Sequence, residues 1–218
     1  MSRSTEDLIA ALAAEVRPIR RLKPPLTRAA LWLLATVVVG AAAIVALADM
    51  PGFMARAASS RTQIELAATA LTGLAGVIAA FHLALPDRPR TWALLPLPFL
   101  AVWLSTSGLG CYQAWIARGP DGLTSGPSLH CLLFILATSL PVGGFLFWSL
   151  AKARPLFPTS TAVVGGLGVA ALCAFLLQFF HPFEVTLMDL ALHLVAISLV
   201  VTAASTAGAR GLASALRG

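Results

Sequence analysis

Asp189 and His193 stand four residues apart, so on a helix they share one face, where a carboxylate can orient an imidazole or both can hold one ion. Cys131 and His181 add a thiolate and a second imidazole. One sulfur, two imidazoles and one carboxylate suit zinc or a similar borderline metal. Cys111, His130 and Glu184 lie in neighbouring segments and extend the cluster. No CxxC or HExxH motif brings these donors together in sequence, so a hydrogen-bonded interfacial cluster and a sensing site both stay open. Cys173, set among Ala, Leu and Phe, reads as a small packing residue. His82 reads as a snorkelling interfacial residue with no evident partner.

The elements that must position these residues are hydrophobic. Six apolar stretches, 29–48, 63–85, 91–109, 129–150, 159–180 and 186–207, follow a charged amino-terminal tail. Each has about 20 residues, which at ~1.5 Å rise per residue spans a hydrocarbon core of ~30 Å. The composition agrees, since 58% hydrophobic and 11% charged residues are far from the roughly 25% charged of soluble domains. The expected fold is all-α: an integral membrane bundle of six transmembrane helices (29–218) preceded by a cytoplasmic tail (1–28) with a short amphipathic helix. The first stretch is too long and too far from the start for a cleavable signal peptide, and is expected to remain.

Orientation follows from the basic residues. With the tail inside, twelve of the fifteen Lys and Arg fall on the cytoplasmic side, leaving Arg56, Arg61 and Arg118 outside. That split places both termini in the cytoplasm. It also places the Cys/His cluster on the outer side, where Asp189 and His193 enter the sixth span. The net charge of +6 reflects topology and attraction to lipid headgroups, and carries no nucleic-acid signal. Small residues at Gly40–Ala43, Gly73, Gly76, Gly165, Gly166 and Gly168 allow close helix packing. Pro96, Pro98 and Pro141 are expected to kink spans three and four.

In the tail, Ser4 can cap a helix whose third residue is Asp7, close to the capping-box pattern, and Pro18 ends it. Leu8, Ile9, Leu12 and Val16 recur at helical spacing and form an apolar stripe. Three fates are open to such a stripe: packing on the protein's own bundle, lying on the membrane, or docking in a partner's groove. Glu6, Asp7 and Glu15 weaken the membrane reading because anionic lipid repels them. A soluble partner's groove fits better.

The run Asp7-Leu8-Ile9-Ala10-Ala11-Leu12, then Arg17-Pro18-Ile19-Arg20-Arg21-Leu22-Lys23-Pro24-Pro25, then Arg28 and a span beginning Leu31-Trp32, resembles the start of NrsF-type proteins, six-span bacterial inner-membrane anti-sigma factors. The similarity continues through Ser128-Leu129-His130-Cys131, Ser139-Leu140-Pro141 and His181-Pro182-Phe183. The resemblance implies a non-enzymatic regulator that holds an extracytoplasmic-function sigma factor at the membrane through the tail and releases it on metal or oxidant stress. Cys131 matches a characteristic cysteine of that family, whereas many members carry a second cysteine in the last outer loop and this chain has His181 there. The departure favours metal ligation through His181, or a local disulfide between Cys131 and Cys111, over a disulfide to the loop. No obligatory cofactor is implied; zinc or another borderline or soft metal enters only as a signal. Two rivals stand beside this reading, a small metal-handling transporter and a membrane thiol oxidoreductase. The first lacks an ionisable relay through the membrane centre. The second lacks the paired cysteines its chemistry normally uses.

Overall fold

A computed structural model describes residues 4–15, 21–119, 125–180 and 187–215; the side chains of 114, 118, 125–130, 187–190 and 207–215 lie outside what it describes. The elements in order are α1 (Thr5–Glu15), α2 (Pro25–Leu47), α3 (Met50–Ala57), α4 (Ser60–Leu83), a 3-10 turn (Arg90–Leu94), α5 (Leu97–Arg118), α6 (Ser125–Ala151), α7 (Pro158–Leu177) and α8 (Leu187–Ala215). No strand occurs among the described residues, so the chain is all-α there. Five stretches are helical, long and apolar enough to cross a membrane. The sixth expected span falls on α8, whose described apolar stretch, Ala191–Thr206, is shorter than the other five.

Helix starts are written in prolines and short polar side chains. Pro25 and Pro158 occupy the first position of α2 and α7, where a missing N–H leaves no bond unmade. Asp49 accepts from the Gly52 N–H at 3.2 Å to cap α3, and Ser59 accepts from the Thr62 N–H at 3.2 Å to cap α4. Pro96 and Pro98 also begin a helix: they cap and open α5, and do not kink its interior as their place within an apolar run suggested. The same preference explains both, since proline is tolerated in a first turn and costly deeper in. Of the three, Pro141 alone sits inside a helix, α6. α5 runs to Arg118 and therefore extends nine residues past the expected end of the third span.

The α4–α7 pair is the centre of the bundle, with α5 packed on α4 and α8 on α7; α6 packs against α7 and α8, and α8 also touches α5. Gly76 and Gly168 make the central contact. A Cβ on Gly76 would lie 2.7 Å from the Gly168 Cα, and one on Gly168 would lie 2.8 Å from the Val77 nitrogen, so only glycine permits this approach. Gly166 does the same toward Ala204 of α8 at 2.9 Å. The Gly40–Ala43 run does not pack this way: the nearest atom to a Cβ on Gly40 is Leu176 Cδ1 at 3.7 Å. Thr69 and Thr72, fully buried in α4, return their hydroxyls to the Glu65 and Ala68 carbonyls at 2.6 and 2.7 Å.

α2 is fully buried against the bundle at one end only. Its buried residues are Pro25, Arg28, Ala29 and Trp32, all in the first two turns. The Arg28 guanidinium donates to the Ser149 carbonyl of α6 and lies 5.1 Å from the Phe81 ring of α4, while Trp32 stacks on Phe145 of α6. Arg28 is thus more than a surface anchor charge. His82 departs from expectation more fully: it is 4% exposed and stacks on Trp92, with ring centroids 3.8 Å apart, so it is buried in the bundle and does not snorkel.

Candidate functional site: an exposed tail helix and a polar layer across three helices

The tail helix is built as its sequence dictates. Ser4 Oγ accepts from the Asp7 N–H at 3.2 Å, the Ser4 N–H donates back to Asp7 Oδ2 at 3.3 Å, and the Ser4 hydroxyl donates to the same carboxylate at 2.9 Å. This reciprocal cap satisfies donors that would otherwise be orphaned at the start of α1. Asp7 therefore shapes the helix as well as charging it. Every residue from Ser4 to Glu15 is exposed, including Leu8 at 49%, Ile9 at 61% and Leu12 at 58%. The stripe is not packed on the chain's own bundle. Full burial of three such side chains elsewhere would contribute ~1.5–3 kcal/mol each, ample for docking. Val16, Arg17 and Pro18, the rest of the expected partner-binding set, lie outside the described residues.

The second candidate lies where α6 and α8 begin and α5 ends. Cys131 is six residues into α6, His193 six residues into α8 and Cys111 seven residues from the end of α5. At ~1.5 Å per residue each sits about 9–11 Å in from its helix end, a common depth that defines a polar layer. α8 packs against both α5 and α6, so the layer joins three helices. Cys111 and Cys131 are buried and His193 is half-buried. Cys111 is thus inside a helix and not in the loop beyond it. α8 begins at Leu187, which puts Asp189 and His193 one turn apart on the same helix. His181 and the side chains of His130 and Asp189 lie outside the described residues. Among the described residues, no three of His, Cys, Asp and Glu come together as a metal site. Cys173 is a buried free thiol beside Thr138 and Ser139 of α6, in keeping with a packing role.

Two polar pairs in this layer escaped the sequence reading. Glu65, half-buried near the start of α4, accepts from the Ser107 hydroxyl of α5 at 2.6 Å. One turn earlier, Arg61 donates to Gln113 of α5 at 3.1 Å. The signal was present: a carboxylate inside a span-length apolar helix needs a reason to be there. Beside them, Arg56 of α3 donates to the Gln178 carbonyl after α7 at 2.9 Å and Phe53 stacks on Phe179 at 4.4 Å, closing α3 over this end.

No curated protein and no solved structure gives a significant match to the chain. A family model described as negative regulator of sigma F matches residues 12–213, which takes in everything from the last turn of α1 almost to the end of α8 and leaves Asp7, Leu8 and Ile9 just ahead of it. An all-α chain of span-length apolar helices, with an unpartnered amphipathic helix at its amino terminus and this match over nearly its full length, belongs to the NrsF family of negative regulators of sigma F.

Proposed function

We propose that this protein is a membrane-anchored anti-sigma factor of the bacterial inner membrane, with both termini in the cytoplasm, a sigma-binding tail over residues 1–28 and a six-helix transmembrane domain over 29–218. The partner is an extracytoplasmic-function sigma factor, and Leu8, Ile9 and Leu12 enter an apolar groove on it. The observation that carries this reading is the exposure of the capped, amphipathic α1 in a chain that matches the negative regulators of sigma F from the last turn of that helix onward. A regulator that works by sequestration needs little cytoplasmic mass, and a short helix in a groove supplies it.

Metal or oxidant acts at the outer layer, through Cys131 with His181, Asp189 and His193 as the ion-binding set, and Cys111 and His130 adjoining. Zinc or a softer ion would serve as a signal there, not as a resident cofactor. A tenfold rise in free sigma requires a change in binding of only about 1.4 kcal/mol, so a modest repacking of helices suffices.

The test is a co-purification with Leu8→Asp, Leu12→Asp. Two carboxylates placed in an apolar groove cost several kcal/mol, so retention of the sigma factor should fall by at least about a hundredfold at unchanged levels of the membrane protein. Undiminished retention would reject docking through α1.

A further inference from the structure

α4 packs against both α5 and α7, which do not pack closely on each other, and the gap between them leaves a groove of ≈ 750 Å³ over α4. That volume is in the ~300–1,000 Å³ range of ligand sites. Its floor is Leu83; Leu97 of α5 forms one wall and Val163 and Leu167 of α7 the other. Thr159 and Leu167 are eight residues apart on α7, so the apolar trough is about 12 Å long, close to the ~15 Å of one leaflet's hydrocarbon.

One end is different. Arg90 stands at the mouth with its guanidinium 3.8 Å from the centroid of the Phe157 ring, and Thr159 and Ser160 line the same end. Among the described residues no acidic side chain lines the groove and none makes an ion pair with Arg90. Phe157 occupies the cap position of α7 and offers no side-chain acceptor to its first-turn N–H groups, so that end adds to the positive potential. The charge split puts this mouth on the side where the leaflet is anionic.

We propose that this groove binds one anionic glycerophospholipid of the inner leaflet, its acyl chain lying along α7 between Leu97 and Leu167 and its phosphate against Arg90. The inference rests on the membrane-spanning reading above, and is independent of the sigma partner. Stable incorporation of the full chain into phosphatidylcholine nanodiscs tests the spanning reading before any lipid is compared.

The lipid test is native mass spectrometry of the full chain offered phosphatidylglycerol or phosphatidylcholine with matched acyl chains. One phosphatidylglycerol per chain should be retained about fivefold over phosphatidylcholine, a ratio set by one basic contact at the headgroup. Arg90→Gln should bring that ratio to about one, whereas Lys152→Gln, whose ammonium lies over Trp148, should leave it unchanged. Leu97→Trp, at an exposed position, should fill the trough and lower retention of both lipids. Equal retention by the unmodified chain, a preference that survives Arg90→Gln, or full retention by Leu97→Trp would overturn the proposal. So would a photo-crosslinker at position 97 that captures α1 or a second chain in place of lipid.

Discussion

A carboxylate in an apolar helix is costly unless a donor holds it, and the Ser107 hydroxyl does so for Glu65 at 2.6 Å. Cys131 and His193, at the same depth on α6 and α8, belong to that layer. If the layer senses a metal, Cys131→Ser and His181→Ala should each leave the uninduced sigma factor fully retained and abolish most of the response to soft or borderline metals, as a reporter of sigma-dependent transcription would show. Cys111→Ser should then have a weaker effect. A disulfide switch predicts the opposite ranking, with Cys111→Ser equal to Cys131→Ser and an oxidant-dependent loss of thiol alkylation. Normal induction in the Cys131→Ser, His181→Ala double variant would reject both. At this scale the sequence told residue types better than surroundings. Ser4 and Asp7 are neighbours in sequence, and their cap was readable. The ring that stacks on His82 comes from the separate turn after α4, and no local pattern announces Trp92 as its partner.

Among the helices, the α4–α7 contact is the one that tolerates least. Gly168→Ala sets a methyl 2.8 Å from the Val77 nitrogen and 3.0 Å from the Gly76 carbonyl carbon, backbone atoms that cannot step aside. Thermal unfolding in detergent should show a loss of about 1–3 kcal/mol. Gly40→Ala meets only Leu176 at 3.7 Å, and should be neutral or slightly stabilising because alanine is the better helix former by ~1 kcal/mol. Both positions read alike in the sequence, as small residues in apolar runs. What separates them is how closely a distant neighbour approaches, backbone at 2.8 Å in one case and a side-chain methyl at 3.7 Å in the other. The prolines teach the same lesson: Pro96 and Pro98 lie in an apolar stretch, and only the placement of the α5 start decides that they open a helix.

Over the whole molecule, length and composition predicted an all-α chain with span-length helices, because apolar runs of about 20 residues have few other solutions. Which helices would be central was not legible, since lipid-facing and buried apolar faces are written in the same residues. The charge split predicts the topology. Reporters fused after Arg90, Arg154 and Gly218 should read cytoplasmic, and those after Gly52 and Gly122 should read periplasmic. A reversal at one internal loop would change the span count and move the Cys/His layer off the outer face.

The one-ended seating of α2 limits how the tail can be commanded. Past Trp32 no residue of α2 is fully buried, and its approach to α7 at Gly40 is an ordinary van der Waals contact with Leu176 at 3.7 Å. Among the described residues, the root of α2 is where it is held most firmly, clasped by Ser149 and Phe145 of α6 and by Phe81 of α4. α6 carries Cys131 about 27 Å away at its other end, and α4 carries Glu65. If a signal at the Cys/His layer releases the partner, these two helices are the elements that join that layer to the root of α2, and sliding or turning them is the route by which it would reach α1.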